Sequence, residues 1–164
     1  MSKTEQNLMD AFAGESQANR KYLAFAKQAE KEGYPQAARL FRAAAEAETV
    51  HAHAHLRVLG GVKSTAENLK VALAGETHEF KKMYPEMIET AKTEGHNKGE
   101  RSFTYANEVE KIHASLYQKA LDNLDDLESV DYYVCSVCGY TCENEPPETC
   151  PVCKANAKAF FKAS

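Results

Sequence analysis

The step Glu48-x-x-His51 returns as Glu110-x-x-His113, 62 residues further along a chain of 164. The sequence around it repeats too. Ala13-Gly14-Glu15-Ser16 recurs as Ala74-Gly75-Glu76-Thr77 at an offset of 61, and Glu32-Gly33 recurs as Glu94-Gly95 at 62. Periods of this length mark duplicated supersecondary units, so two helix pairs that copy one another are predicted. The offset changes by one residue near Pro85, where a small insertion and a missing N–H both predict a kink.

Apolar or small residues recur at steps of three and four, which is the period of a helix with one inward stripe. The stripes are Ala11, Ala18, Tyr22, Phe25 and Ala29; Ala37, Phe41, Ala44, His55 and Val58; Leu69, Ala72, Phe80, Met83 and Met87; and Phe103, Ala106, Tyr117, Ala120 and Leu124. Gly33-Tyr34-Pro35 suits the end of one helix and the first turn of the next, and Gly60-Gly61 ends the second. Ser64 with Glu67 offers a capping box to the third, and Gly95 to Gly99 separates it from the fourth. Helices of roughly 25 residues are about 40 Å long, which predicts a mainly α four-helix bundle over residues 1–130.

Ligand-type residues interrupt each stripe. Glu15 falls between Ala11 and Ala18, Glu48 and His51 between Ala44 and His55, Glu76 and Glu79 between Ala72 and Met83, and Glu110 and His113 between Ala106 and Tyr117. No Lys or Arg shares these stripes, so inward carboxylates need cations from elsewhere, and two divalent metals would supply them. Glu and His three apart point at one ion from a single helix face. Mixed oxygen and imidazole donors suit iron or manganese better than calcium or a structural zinc. Glu79 has only Ala18 as its counterpart in the first half, so it is a seventh, asymmetric donor. One Glu from each of two helices and Glu-x-x-His from each of the other two is the ferritin-like di-metal carboxylate pattern, and a seventh donor would let one metal exchange ligands on oxidation, with Glu79 suited to the ferric ion and His51 to the ferrous one. Tyr22 and Tyr84 are candidates for hydrogen bonds to the ligand carboxylates, although core packing explains them equally. His53, His55 and His78 fall off the ligand positions and are read as solvent-facing or core histidines.

Residues 131–164 differ in character. All five cysteines lie here, and 34 residues bury too little surface to fold unaided. Cys135-x-x-Cys138 with Cys150-x-x-Cys153 brings four thiolates within reach of one ion, either zinc or iron; composition alone favours a zinc ribbon. Cys142 is left as a free thiol. The acidic stretch from Asp122 to Asp131 reads as a helix end and a hinge.

Composition restricts the partners. A formal net charge of −4 argues against a nucleic-acid binder that relies on a basic surface. No apolar run reaches the length of a membrane span and no apolar leader is present, so the expected location is the cytoplasm.

Tyr133-Val134-Cys135-Ser136-Val137-Cys138-Gly139-Tyr140 with Cys150-Pro151-Val152-Cys153 resembles the knuckle pair of a rubredoxin. Together with the bundle motifs, the chain resembles the rubrerythrin family over nearly its whole length. The resemblance implies one redox-active iron on Cys135, Cys138, Cys150 and Cys153. It also implies two irons in the bundle, bridged by Glu48 and Glu110. Glu15 would bind the first, which also takes Glu79 when ferric and His51 when ferrous; Glu76 and His113 would complete the second. The implied activity is reduction of hydrogen peroxide to water, with electrons arriving from a rubredoxin or a reductase through the thiolate-bound iron. A homodimer is implied, with one subunit's rubredoxin-like iron serving the other's di-iron centre and helices exchanged in some relatives. The rival readings are a ferroxidase or iron-storage protein, and a zinc-ribbon interaction module on a helical scaffold.

Overall fold

The computed structural model describes residues 1–163 and divides into two compact units, residues 1–63 and the chain from Ser64 onward. The first unit is a helical hairpin of α1 (Lys3–Lys31) and α2 (Pro35–Val58). In the second, α3 (Thr65–His78), a π-helical turn (Glu79–Met83) and α4 (Tyr84–Thr93) follow one another without a break. α5 (Asn97–Asp122) returns alongside them, and a short 3-10 turn at Leu124–Asp126 leads to a small sheet. The expected fold class is found: four long helical runs, then a small β/loop module of the rubredoxin-like kind.

The sequence repeat is realised down to the caps. Ser2 with Glu5 and Ser64 with Glu67 each form a reciprocal capping box. Gly33 (φ +84°) and Gly95 (φ +67°) both adopt the left-handed conformation that ends a helix. The next N–H reaches back five residues in each copy, from Tyr34 to the Ala29 carbonyl and from His96 to the Ala91 carbonyl, both at 2.8 Å. Ala29 and Ala91 are both buried.

The small insertion near Pro85 takes the form of the π turn. Its wider ring holds one more residue than an α turn, and the N–H of Tyr84 bonds to the Glu79 carbonyl. Pro85 then sits in the first turn of α4, where its missing N–H is least costly. The expected proline kink is thus a π turn just ahead of the proline.

The stripes need one correction. In α2 the fully buried positions are Ala38, Ala45 and Ala52, seven apart, one residue round from the predicted Ala37 and Ala44. Phe25 is 47% exposed and Val58 71% exposed. Buried alanines line the α1–α2 hairpin, and small side chains let two helix backbones come together. Asn19 of α1 fixes the register by donating to the Ala45 carbonyl and to Thr49 Oγ1, both at 2.8 Å. Tyr22, Phe25 and Phe41 stack at the side of this seam, with ring centroids 5.6–6.3 Å apart.

The module is a three-stranded antiparallel sheet of β1 (Tyr132–Cys135), β2 (Thr141–Glu143) and β3 (Phe160–Lys162), in the order β2-β1-β3. It rests on α5. A Cβ on Gly139 would lie 3.8 Å from Val109, which is buried, and Lys119 of α5 pairs with Glu143 of β2 at 2.6 Å.

Candidate metal centres

Among the described residues, three groups of ligand-type side chains converge, and within each group the ligand atoms lie within 4.8 Å of one another. Two are copies. α1 carries Glu15 toward Glu48 and His51 of α2; His51 Nδ1 is 2.9 Å from Glu48 Oε2 and 3.9 Å from Glu15 Oε1. α3 carries Glu76 toward Glu110 and His113 of α5; His113 Nδ1 is 2.8 Å from Glu110 Oε2 and 3.6 Å from Glu76 Oε2. The one-turn spacing of Glu and His on a single helix makes both arrangements possible. None of the six ligand residues is fully buried within the unit that carries it: Glu110 keeps 14% of its side chain exposed, His113 29% and His51 55%.

The second group is electrostatically loaded. Burial first, then the charge of Glu110, raises the Glu76 pKa above the ordinary carboxylate value, and His113 offsets only part of this. Glu79 is raised by burial and by Glu76. Tyr84 is raised by burial and by Glu110, Glu79 and Glu76, and Tyr117 by burial and by Glu76 and Glu110. All four shifts come first from burial and next from neighbouring carboxylate charge, and a divalent cation would offset that charge. Two carboxylates and one imidazole nitrogen in each group, with space for further ligands, fit a transition metal.

Glu79 opens the π turn one helical turn after Glu76 and lies outside both three-residue groups. It belongs to the second compact unit, whereas Glu15 and His51 belong to the first. Tyr84 is close enough to the Glu76 and Glu110 carboxylates to feel their charge, while the Tyr22 ring belongs to the aromatic cluster with Phe25 and Phe41. Sequence reasoning placed Tyr117 only in the core. The signal was its position four residues after His113, on the same helix face. His53 and His78 are exposed and His55 is half-buried.

The third group is the four thiols. Cys135 and Cys153 Sγ lie 3.7 Å apart, and Cys138 and Cys150 Sγ 3.6 Å apart. A tetrahedral ion with bonds of about 2.3 Å requires sulfur–sulfur edges of about 3.8 Å, so the cage is already the right size for iron or zinc. Two matching knuckles build it. Cys135-x-x-Cys138 closes on Gly139 at φ +86°, and Cys150-x-x-Cys153 closes on Lys154 at φ +65°. Burial raises the thiol pKa values of Cys138 and Cys153. Burial also opposes ionisation of Cys150, but N–H groups of Cys153 and Val152 outweigh it and the net direction is down. Cys142 stands apart, its Sγ facing the carbonyls of Tyr133 and Glu145.

A cavity of about 410 Å³ lies between α3, α5 and the module, with Glu76, His113, Tyr117 and Thr141 in its wall. It gives a small molecule access to the second carboxylate group.

Comparison with known proteins agrees with this architecture. The family described as Rubrerythrin matches residues 6–121, and its rubredoxin-like domain matches residues 133–161. The chain is 38% identical to Rubrerythrin-2 of Clostridium acetobutylicum, covering 96% of this chain and 95% of that protein. It is 38% identical to the rubrerythrin of Porphyromonas gingivalis, covering 98% and 90%. Among solved structures, fully reduced, all-ferrous nigerythrin superposes with a TM-score of 0.61 at 34% identity, covering 99% of this chain and 88% of that one.

Proposed function

We propose that this chain, which belongs to the rubrerythrin family, is a peroxidase that reduces hydrogen peroxide to water. The family's members are iron-dependent oxidoreductases, and the donor sets fit iron at all three groups. The reading takes Glu15, Glu48, His51, Glu76, Glu79, Glu110 and His113 as the di-iron ligands and the four knuckle cysteines as ligands of the third iron. It divides the chain into a bundle over residues 1–130 and an electron-relay module over 131–164.

One observation carries the proposal: a four-thiol cage rests on the helix that supplies Glu110 and His113, and a cavity opens onto Glu76 and His113. When bound, two ferrous ions at the carboxylates would supply the two electrons that peroxide reduction consumes, and the thiolate-bound iron would return them singly. The protein's own part is to hold seven donors on four helical runs, to keep the hydroxyls of Tyr84 and Tyr117 protonated beside the carboxylates, and to admit a small oxidant. A phenol keeps its proton at neutral pH, so both hydroxyls can donate hydrogen bonds. The same reading takes a rubredoxin or a reductase as electron donor, a homodimer as the working assembly and the cytoplasm as location. A reducing compartment keeps the four thiols available to metal.

The ferroxidase reading needs the carboxylates but gives the cysteine cage no part. The test is the iron-loaded Cys150→Ser protein. Loss of reductant-dependent peroxide turnover with ferrous-iron oxidation intact supports the peroxidase, and undiminished turnover refutes it.

A further inference from the structure

We propose that Thr141 of β2 is a positioning residue for the Glu76, Glu110 and His113 group: its hydroxyl accepts the Nε2 proton of His113, leaving the Nδ1 lone pair to face the two carboxylates. The inference rests on the reading of that group as a metal site.

The geometry fixes the direction of each bond. Thr141 Oγ1 lies 3.1 Å from His113 Nε2 and donates to the Gly139 carbonyl, also at 3.1 Å. A hydroxyl has one proton to give. Once that proton is on Gly139, the oxygen can only accept from the imidazole, so Nε2 carries hydrogen. The other ring nitrogen then points its lone pair at Glu110 Oε2, 2.8 Å away, and Glu76 Oε2, 3.6 Å away. A lone pair facing two carboxylates needs a cation beside it, a proton when the group holds no metal and a metal ion when it does. Hydrogen bonding at one imidazole nitrogen in this way selects the other as the metal ligand and sets the plane of the ring.

Thr141 is itself held. Its strand pairs with β1, where Val134 is its partner, and Gly139 packs against Val109 of α5. The route from His113 through Thr141 to Gly139 ends one residue from Cys138, so the element that carries the thiol cage also orients a ligand of the carboxylate group. His51 presents the same nitrogen to Glu48 and Glu15, with 55% of its side chain exposed against 29% for His113. The module therefore screens one imidazole more than its copy.

The full-length chain, labelled with 15N in histidine and loaded with zinc as a diamagnetic probe, tests this directly. Long-range proton–nitrogen spectra of the wild type should show His113 ligated through Nδ1, with a slowly exchanging proton on Nε2. Thr141→Val keeps the shape and strand preference of the residue. It should speed exchange of that proton and weaken zinc binding at this group by about 10- to 100-fold. Thr141→Ser should restore both. The proposal is overturned if Thr141→Val keeps a protected Nε2 proton and zinc affinity within about twofold of wild type. Ligation of wild-type His113 through Nε2 overturns it equally, and that spectrum decides the matter even if the valine variant loses its fold. A wild-type chain that takes zinc only at the thiols would instead overturn the metal reading beneath it.

Discussion

In the metal-free protein, Glu76→Gln should stabilise the fold, although it removes a ligand. Glu76 and Glu110 offer oxygens within 4.8 Å of each other. Two full charges at that separation repel by about 3 kcal/mol at an effective dielectric constant of about 20. Glu76 can escape by taking a proton, but holding one at pH 7 against an ordinary pKa of 4.5 also costs about 3 kcal/mol. The nearby His113 and the residual exposure of these side chains offset part of either cost. About 1–2 kcal/mol should remain, or a few degrees in melting temperature for a chain of this size. The pH dependence has a definite sign. Because the folded-state pKa of Glu76 is raised, its penalty is full above that value and disappears as pH falls below 4.5. The assay is thermal unfolding of metal-free wild type and Glu76→Gln at pH 7 and near pH 4. The glutamine variant should melt higher at pH 7, and the gap should close in acid. Added ferrous iron or zinc should reverse the order, since binding stabilises only a chain that can hold the ion. A metal-free glutamine variant no more stable than wild type at pH 7 would refute the claim that the carboxylates lack a cation.

Three further outcomes follow from the fold. Ala45 has no exposed surface, so Ala45→Leu should force α1 and α2 apart and cost about 1–3 kcal/mol in chemical denaturation; an unchanged midpoint would contradict the alanine seam. Deleting Lys81 removes the extra residue that the π turn accommodates, so α3 and α4 should close into one continuous α-helix like α1 with their flanking segments still in phase. Helical circular dichroism and zinc affinity at the Glu76 group should both survive, and a collapse of either would show that the wide turn does more than absorb an insertion. Gly95→Ala places a Cβ in open space at φ +67°, so only backbone strain of about 1 kcal/mol should appear in its denaturation curve. A larger loss would mean that the loop makes contacts beyond its cap.

The helical runs, their caps and the thiol cage were legible because each is written locally. Periods of three and four, a capping Ser with Glu three later, and paired Cys-x-x-Cys steps fix short-range geometry whatever surrounds them. The repeat offset even located the π turn, though an inserted residue alone does not distinguish a kink from a wider turn. The predicted α2 stripe follows the face that carries Glu48 and His51, whereas the residues buried in the hairpin are Ala38, Ala45 and Ala52, one position round. Within their own units the ligand carboxylates are half-buried. Helix periodicity identifies a face without saying how completely it is covered. Thr141 was invisible in the sequence because its contact with His113 spans 28 residues and depends on how the module lies on α5. Nothing in either segment's period encodes that orientation.

Iron analysis of the full-length protein, paired with its absorption spectrum before and after peroxide, bears most directly on the carboxylate groups. Three converging donor sets predict about three irons per chain, one of them a red ferric tetrathiolate. After anaerobic reduction, peroxide should reoxidise all three. A chain that holds iron at the thiols alone, with Glu15, Glu48, Glu76 and Glu110 binding none, would contradict the account.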